Sequence, residues 1–548
     1  MTELRPTVRV LSVALLALLL GGGGSLAQEQ TEVVFSPHQG QDIAISKALL
    51  EAQECIYMAL YSISSESDWV DEPAGGAPAH EVERWQAFRE RLERGEVKPF
   101  DMIKHKAAQG VKCRLVLHRA ALDPWAIDTA KAYQDAGVEV RWTHKTMHNK
   151  FCVIDKHTLI NGSGNWSRGA AERYSENTMI FRDQPALAQQ FLREFYYLWY
   201  TLLEKGRAEE FDRELLPVPE PDPKHFVERH VTHQPWRAVE AYFTSENGST
   251  QEYTCADRII SEMRRARKQL WIMINHFNMG RISWALTRLH RERNQNADPT
   301  DDLEIKVLMD LGEYDASSTG VSRAKELEQA GIEVRYKTYS LSFYYQRAQF
   351  MHHKVMIVDS ERLVTGSYNW SSTAEFKNYE NITVHQGPTQ QTLIDAVEGE
   401  FQQLWELRRD LFPDFKRAVL SQPGDPGYRR WVPVHFSRGH PYFHTPMTLS
   451  RAELESFREH LEQLGYRPAL EGDQEAMDNH NLAYFDKETG TFTNQPPTDA
   501  TFVEDEDTVR TPVTNTTGLV GGVAETVTPV TPVEPAPEPT PVTPVEQE

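Results

Sequence analysis

The sequence has few cysteines and a deficit of positive charge. The four cysteines among 548 residues, Cys55, Cys113, Cys152 and Cys255, are too few and too irregularly spaced for a disulfide framework or a zinc site. We expect buried thiols, although an exported chain could oxidise one pair. The formal net charge is −22. A field of that sign repels polyanions and disfavours non-specific binding to nucleic acid or anionic membranes, unless a local basic cleft overrides it.

Long apolar runs are also missing beyond the N-terminus. There, two arginines precede an apolar run from Val10 to Leu20, which is followed by glycines and small residues up to Ala27. The run is too short to cross a bilayer, and the order of these features is typical of a secretory signal peptide. We predict a signal peptide over residues 1–27 and a secreted or periplasmic chain, with a retained N-terminal anchor as the alternative.

The sequence does contain an internal duplication, with matching segments about two hundred residues apart. The clearest pair is 136–142 and 330–336, which match almost residue for residue. Short β-branched runs alternate with amphipathic stretches in each copy, which predicts a mixed α/β sheet with helices on both faces. The predicted helices cover residues 128–136, 187–203, 321–330 and 392–407.

Changes of composition divide the chain into six predicted segments. Prolines stiffen the linker between the two repeats. The C-terminal residues, rich in Thr and Pro, are expected to form no hydrophobic core. The segments are a signal peptide (1–27), repeat 1 (28–210), a linker (211–238), repeat 2 (239–412), a C-terminal accessory segment with one helix over 450–464 (413–495) and a disordered Pro/Thr-rich tail (496–548).

One motif occurs in both copies with the same spacing. It has the form His-x-Lys, four residues, Asp, six residues and Gly-Ser-x-Asn. The first copy consists of His148, Lys150, Asp155, Gly162, Ser163 and Asn165, and the second of His352, Lys354, Asp359, Gly366, Ser367 and Asn369. Each fixed position matches by chance in about one case in twenty, so six identities found twice in register leave little room for accident.

The spacing brings polar groups together if the residues around the motif form strands. In a strand over 150–155, alternate residues share a face, so His148 and Lys150 point into one site. The turn that follows returns Ser163 and Asn165 beside them. Lysine, asparagine and serine can bind the non-bridging oxygens of a phosphate, and the histidine is free to attack or to protonate.

Two motifs are needed because one histidine cannot be nucleophile and acid in the same step. His148 and His352 could flank one phosphorus, one as the nucleophile and the other as the acid that later activates water. Lys150 and Lys354 would then stabilise the charge of the pentacoordinate species. The residues alone leave the order of the two histidines open.

Both motifs resemble the HxK(x)4D(x)6GSxN pattern of the phospholipase D superfamily, over residues 31–412. The resemblance implies two α-β-α sandwich lobes related by a pseudo-twofold axis, one shared site and a phosphohistidine intermediate, with no cofactor and no metal. It also implies that a Glu eleven residues after each motif Asn orients a catalytic histidine, which gives Glu176 and Glu380. Asp155 and Asp359 are implied to be structural.

In this superfamily the N-terminal histidine is usually the nucleophile, which implies that His148 attacks and His352 acts as the acid. The Trp after each motif Asn and the Glu-Asn pairs are most similar to the Nuc-like and cardiolipin-synthase-like branches. The substrate-binding residues implied by the motif are Ser163, Asn165, Ser367 and Asn369.

The substrate class stays open. The leading hypothesis is hydrolysis of a phosphatidylcholine-like phospholipid to phosphatidic acid and an alcohol, at a membrane surface, by a monomer that holds both half-sites. The alternative is a Nuc-like endonuclease acting on DNA or RNA. This hypothesis would be favoured if five basic residues line one cleft. They are Arg141, Lys145, Arg168, Arg335 and Lys337. A non-catalytic surface-binding protein is a third hypothesis, which the two intact motifs disfavour.

Overall fold

Two mixed sheets form the centre of this computed structural model, one from each half of the sequence. The predicted signal peptide, the linker up to residue 237 and the Pro/Thr-rich tail lie outside the described part of the chain. The structure describes residues 30–117, 124–143, 145–201, 238–247, 252–314, 322–338, 350–410, 412–426, 428, 430–437, 440–442, 446–463, 483–489 and 491–493.

The first sheet has seven strands. In chain order the strands of this half are β1 Gln30–Ser36, β2 Cys55–Leu60, β3 Lys112–Leu117, β4 Glu139–Trp142, β5 Thr146–Met147, β6 Lys150–Ile154, β7 Thr158–Gly162 and β8 Glu176–Arg182. The order across the sheet is β1-β8-β7-β6-β2-β3-β4, and β5 lies outside it. β2, β3 and β4 pair in parallel, whereas the other neighbours are antiparallel.

The second sheet repeats this order. The remaining strands are β9 Val239–Phe243, β10 Gln269–Ile274, β11 Glu304–Asp310, β12 Glu333–Lys337, β13 Lys354–Val358, β14 Arg362–Gly366, β15 Asn378–Tyr379, β16 Asn381–Gln386, β17 Trp431–Ser437, β18 His440–Tyr442, β19 Thr448–Ser450, β20 Ala483–Asp486 and β21 Thr491–Thr493. The second sheet runs β9-β16-β14-β13-β10-β11-β12-β19, so its first seven strands follow the order of the first sheet. Each half therefore forms an α/β lobe with the same sheet topology.

Helices cover both faces of each sheet. They are α1 Gln41–Leu50, α2 Ala79–Glu93, α3 Pro99–Ala108, α4 Pro124–Asp135, α5 Arg168–Glu172, α6 Pro185–Thr201, α7 Thr254–Met263, α8 Gly280–Asn294, α9 Ala324–Gln329, α10 Ser372–Lys377, α11 Gln391–Trp405, α12 Phe412–Leu420 and α13 Arg451–Gln463. The five helices predicted from the sequence are confirmed with shifted ends by α4, α6, α9, α11 and α13.

The hydrophobic core is continuous between the two lobes. One buried cluster combines side chains of both sheets with α6 and α11, including Phe195 and Phe401. Separate clusters cover the opposite faces, where α1, α3 and α4 pack on the first sheet and α7, α8 and α9 on the second. Strands buried on both faces are apolar throughout, which explains the continuous apolar runs of β2 and β10.

The C-terminal accessory segment contributes to the second lobe. β19 pairs with the edge strand β12, so the sheet extends past the boundary at residue 412 that the sequence predicts. Two ion pairs hold this region, Arg409 with Glu453 at 2.9 Å and Arg451 with Glu328 at 2.5 Å. The remaining strands of the segment form a separate four-stranded sheet in the order β18-β17-β20-β21.

The cysteines form no disulfide. All four are buried free thiols, as the sequence predicts. In the described ranges no helix has the length and apolar character needed to span a membrane.

Candidate active site

The two motif histidines lie where the lobes meet. β5 pairs in parallel with β15 of the other lobe. The amide of His148 donates to the carbonyl of Tyr379 at 2.9 Å, and the amide of His352 donates to the carbonyl of Ser175 at 3.0 Å. The same contact occurs twice with the lobes exchanged, as expected for a pseudo-twofold relationship. Each histidine is therefore positioned by the backbone of the opposite lobe.

The predicted glutamates contact the histidines across this interface. Nδ1 of His148 lies 2.8 Å from Oε2 of Glu380, and Nδ1 of His352 lies 2.7 Å from Oε1 of Glu176. Both carboxylates are fully buried. Because each glutamate engages Nδ1, the Nε2 atom of each imidazole is left to face a substrate.

The motif lysines lie beside the histidines. The ammonium group of Lys150 donates to the carbonyl of His148, and that of Lys354 donates to the carbonyl of His352, both at 2.6 Å. Both lysines are buried, at 1% and 3% exposure. A buried ammonium held next to each imidazole supplies positive charge where a phosphate would gain negative charge.

Glycine is required at the motif turn by a close approach of the chain to itself. Gly162 and Gly366 have φ angles of +153° and +148°. A Cβ at either position would collide with the backbone carbonyl of Asn177 or Asn381. The turn therefore lies against the strand that follows each catalytic glutamate, which brings the motif serine next to it.

The motif serines fix these strands rather than standing free. Oγ of Ser163 accepts from the amide of Asn177 at 3.0 Å, and Oγ of Ser367 accepts from the amide of Asn381 at 3.0 Å. Oγ of Ser367 also donates to Oε2 of Glu380 at 2.7 Å. Ser367 thus orients Glu380, in addition to the substrate-binding role that the sequence predicts for both serines.

The motif asparagines have unused hydrogen-bonding capacity. Oδ1 of Asn165 and Oδ1 of Asn369 are buried, and neither has a hydrogen-bond partner among the described residues. A buried polar atom without a partner is costly in a folded protein. These oxygens can accept from a donor group of a ligand, and the Nδ2 group of the same side chains is the part that could donate to a phosphate oxygen.

The motif aspartates lie away from the histidines, at the start of a neighbouring strand. The carboxylate of Asp155 accepts from the amides of Gln53, Glu54 and Cys55 at 2.7 to 2.8 Å. Asp359 accepts in the same way from the amides of residues 267–269 at 2.7 to 3.0 Å. Both aspartates therefore hold the backbone that enters the central strands β2 and β10.

Burial makes both imidazoles poor bases. It lowers the pKa of His148 to about 4, although the Glu380 carboxylate opposes the shift. Burial also lowers the pKa of His352 well below its ordinary value, and the charges of Lys354, Lys150 and His148 add to the shift. The two half-sites therefore share one electrostatic environment, and the free imidazoles are neutral at physiological pH.

Other charged groups of the site are shifted toward their neutral forms. Burial raises the pKa of Glu176 to about 8, against the opposing charge of Lys354. Burial lowers the pKa of Lys150 to about 7 and that of Lys354 to about 8. Groups with opposed shifts inside one cleft are typical of a site that exchanges protons near neutral pH.

Comparison with known proteins agrees with this geometry. The sequence profile of a family described as "Cardiolipin synthase, PLD-like domain" matches residues 95–199 and 259–405, so it covers both motifs and both glutamates. The chain is therefore similar to the phospholipase D superfamily over both motifs and both glutamates.

Individual relatives within the superfamily match shorter parts of the chain. A mitochondrial cardiolipin hydrolase of Danio rerio is 30% identical over 153 residues, which cover 28% of this chain and 58% of the relative. The corresponding protein of Xenopus laevis is 31% identical over 150 residues, 27% of this chain and 60% of the relative. A phospholipase D of Rickettsia conorii is 26% identical over 170 residues, 31% of this chain and 70% of the relative.

Solved structures of the superfamily are more distant. Nuc from Salmonella typhimurium is 22% identical, with a TM-score of 0.23, and the match covers 30% of this chain and 93% of Nuc. Phosphatidylserine synthase of Haemophilus influenzae is 14% identical, with a TM-score of 0.43, over 69% of this chain and 86% of the synthase.

The five basic residues that would favour a nuclease have different partners in the structure. The guanidinium groups of Arg141 and Arg335 stack on Trp199 and Trp405, each 4.0 Å from the ring centroid, and donate to the carbonyls of these residues. Arg141 and Arg335 therefore hold the ends of α6 and α11. Lys337 is buried and donates to Ser175 at 2.7 Å, whereas Arg168 is exposed and paired with Glu172 at 2.8 Å. Lys145 lies 5.6 Å from the ring of Tyr379.

A metal site is not evident in the described ranges. They contain no group of three or more His, Cys, Asp or Glu side chains that could hold a metal ion.

Sequence reasoning missed three contributors to the site. Asn381 donates to Asn149 at 2.8 Å, and in the exchanged position Asn177 lies 3.0 Å from Nδ1 of His353, so the residue after each histidine is also held across the lobes. The ring of Tyr61 packs edge-on against His148 at a centroid distance of 4.8 Å. The duplicated sequence did show the Asn after each glutamate and the Asn or His after each motif histidine. Tyr61 could not be found in this way, because the second repeat has no matching tyrosine.

The half-sites differ at one further position. His276, on the loop after β10, lies 3.0 Å from the buried Glu313, and its charge contributes to the lowered pKa of His352. The matching position in the first lobe is Ser62, because Ile63 and Phe277 make equivalent bridges to the tryptophans after the motifs. His352 therefore has an additional histidine in its surroundings, which His148 lacks at the equivalent position.

Proposed function

We propose that this chain is a phosphodiesterase that hydrolyses the headgroup bond of phospholipids through a phosphohistidine. The observation that carries the proposal is the pair of His–Glu contacts made across the lobe interface, His148 with Glu380 and His352 with Glu176. Two oriented imidazoles with two buried ammonium groups meet the requirements of a two-step displacement at phosphorus.

The first step forms the covalent intermediate. Nε2 of His148 attacks phosphorus, the bond from phosphorus to the headgroup oxygen breaks, and His352 donates a proton to the leaving oxygen. The neutral state of His148 supports its role as the nucleophile. A bound phosphate diester is negatively charged, so it should raise the pKa of His352 and help this residue to hold the proton it donates.

The second step releases the product. His352 takes a proton from water, the water oxygen attacks phosphorus, and the bond between phosphorus and Nε2 of His148 breaks. The products are phosphatidic acid and the regenerated imidazole. Lys150 and Lys354, with the amides of Asn165 and Asn369, would stabilise the negative charge on the non-bridging oxygens in both steps.

A phospholipid substrate has more support than a nucleic acid. The matched family and the relatives carry names that refer to cardiolipin or phospholipid chemistry. Two of the five basic residues expected of a nuclease cleft, Arg141 and Arg335, instead hold the ends of α6 and α11. The net charge of −22 also disfavours a polyanionic strand. A phosphatidylcholine-like headgroup remains the first candidate.

The test is an assay of two substrate classes with the same preparations. Wild type and His148→Ala are incubated in EDTA with phosphatidylcholine, phosphatidylglycerol or cardiolipin vesicles, and with single- and double-stranded DNA. Released headgroup, phosphatidic acid and cut strands are measured. His157→Ala serves as the control, because this histidine lies on an exposed turn next to the first motif. We expect phosphatidic acid from wild type and from the control, but not from His148→Ala.

A different result would contradict this proposal. If wild type cleaves DNA, His148→Ala does not, and no lipid yields phosphatidic acid, the chain is a nuclease and not a phospholipase. Added ethanol offers an independent check, because capture of the phosphohistidine by an alcohol would yield phosphatidylethanol.

We also propose that the chain acts as a monomer outside the cytoplasm. Both half-sites lie in one polypeptide, which supports a monomer, and residues 1–27 have the order of a signal peptide. Sizing by light scattering and N-terminal sequencing of exported protein test these two points. A dimer, or a mature protein that still begins at Met1, would contradict them.

A further inference from the structure

The outer helices of the second lobe present an unusual surface. We name as the α7–α8 surface the side chains of Arg264, Arg265, Arg281, Trp284 and Arg288. The first four line a groove between α7 and α8 together with Asp257, and Arg288 lies over the ring of Trp284. Trp284 is 55% exposed, the highest value for a large apolar side chain in the part of the chain that the structure describes. An exposed tryptophan beside arginines combines two side-chain types that favour the interface of an anionic bilayer.

This surface is basic, in contrast to the rest of the chain. Residues 254–294 contain nine arginines and lysines but three aspartates and glutamates, whereas the whole chain has a net charge of −22. Arg281 and Arg288 are paired with Asp257 and Glu292, both at 2.6 Å. Arg264 is exposed and has no side-chain partner among the described residues. Arg265 lies 3.5 Å from Glu262, so among the described residues Arg264 is the arginine of this surface that has no ion pair.

The surface is continuous with the second catalytic motif. Phe376, on the helix that follows the motif, packs edge-on against Tyr253 at 4.9 Å. Arg281 lies over the ring of Tyr253 at 4.8 Å, and Arg288 lies over the ring of Trp284 at 5.3 Å. The start of α8 is fixed to the motif itself, because the amide of Met279 donates to the carbonyl of Trp370 at 2.9 Å.

We propose that the α7–α8 surface docks the protein on an anionic phospholipid membrane, with Trp284 in the interface and the arginines on lipid phosphates. Tryptophan prefers the headgroup region of a bilayer, and basic side chains near an anionic surface gain electrostatic free energy. This inference rests on the proposed function only in assuming that the substrate is part of a membrane.

A membrane fits this surface better than a nucleic acid. A nuclease must draw a strand through the two histidines, so its basic residues should line that cleft. Here three of the basic side chains, Arg264, Arg265 and Arg281, line the groove between α7 and α8. Arg264 and Arg265 at the end of α7, with Trp284 between the helices, suit contact with an extended plane.

The test measures binding separately from hydrolysis. Full-length His148→Ala protein is sedimented with phosphatidylcholine vesicles, with and without phosphatidylglycerol, at low and high salt. We expect binding to the anionic vesicles alone, and weaker binding in high salt. Arg264→Gln with Arg265→Gln should weaken binding about fivefold for each charge removed. Trp284→Ala should also weaken it.

The matched control is Trp85→Ala with Arg89→Gln. This pair on α2 has the same stacking, with Arg89 5.3 Å from the ring of Trp85, but it lies among glutamates. We expect the control to bind like the parent. Hydrolysis of a soluble short-chain phospholipid by otherwise wild-type protein should be unchanged in the surface variants, so a failure of docking is distinguishable from a failure of the proposed function.

Three results would overturn the docking proposal. The first is no binding of the parent to anionic vesicles, and the second is full binding by the surface variants. The third is binding to single-stranded DNA that these variants lose while vesicle binding is retained, which would assign the surface to a nucleic acid.

Discussion

Nδ1 of His148 lies 2.8 Å from Oε2 of Glu380, although 232 positions separate the two residues in the sequence. The exchanged pair, His352 with Glu176, has a distance of 2.7 Å. Neither lobe therefore contains a complete His–Glu pair of its own. The proposed catalytic unit therefore forms only when the two repeats pack against each other.

Removing the Glu380 carboxylate should impair catalysis through His148. In Glu380→Gln the imidazole loses its charged partner at Nδ1, so we expect kcat to fall on the order of 10²–10⁴-fold with little change in KM. Steady-state kinetics on a soluble phospholipid measures this effect. Glu194→Gln is the control, because Glu194 is also buried but accepts from Ser245 at 2.6 Å, away from the histidines.

The double variant His148→Ala/Glu380→Gln extends this experiment. If Glu380 acts through His148, the double variant should be no slower than His148→Ala alone. A further loss that multiplies the two single effects would show that Glu380 has an independent role.

The pH dependence of kcat/KM should be bell-shaped. His148 attacks only when neutral, so protonation should reduce activity as the pH falls through its pKa of about 4. Lys150 and Lys354 act only when charged, so activity should decline as the pH rises through their pKa values of about 7 and about 8. Because kcat/KM reports the free enzyme, the proton on the acid His352 also limits it, so the decline should begin above the lowered pKa of His352 and steepen as the two lysines lose their charge.

Lys150→Arg tests the alkaline limb. The guanidinium stays charged throughout this range, so the decline should be less steep than in the wild type and should reflect only His352 and Lys354. A value of kcat/KM that keeps rising beyond pH 8 in the wild type would contradict the assignment.

Asp155 should matter for stability more than for chemistry. Asp155→Ala removes the acceptor of three backbone amides and places alanine at a φ of +48°, so we expect a loss of about 1–3 kcal/mol in the free energy of unfolding. Urea denaturation gives this value, and kcat of the folded protein should be retained. Asp155→Asn should lose less, because asparagine tolerates a positive φ. Reduced kcat at full stability would instead assign Asp155 to the reaction.

Tyr61 should position His148 through its ring. Tyr61→Phe keeps the edge-on contact and should leave kcat unchanged, whereas Tyr61→Ala should lower it about threefold to tenfold. The two kcat values, measured side by side, check this prediction. An equal loss in both variants would point to the hydroxyl group.

The sequence predicts the fold well because the duplication repeats every local signal. The apolar runs of β2 and β10 and the helices α6 and α11 are long, regular and bounded by clear turns, so they could be read without tertiary information. β19 could not, because three residues acquire strand geometry only by pairing with the edge strand β12. The helix α13 next to it was predictable from its own periodicity.

The candidate site was predictable in composition but not in connectivity. Motif spacing identified the residues that converge, including Glu176 and Glu380, but which glutamate contacts which histidine depends on how the lobes pack. The same limit applies to Arg141 and Arg335. The sequence alone gives no partner for these two arginines. In the structure they donate to backbone carbonyls at the ends of α6 and α11.

The central claim is that phosphorus is transferred to one of the two motif histidines. The most direct measurement is to react wild type, His148→Ala and His352→Ala with a phospholipid labelled at phosphorus, to denature rapidly at alkaline pH and to locate the label by peptide mass spectrometry. We predict label on His148 in wild type, accumulation of that label in His352→Ala, because the acid–base partner is missing, and none in His148→Ala. Turnover of the lipid without label on either histidine would contradict a phosphohistidine mechanism.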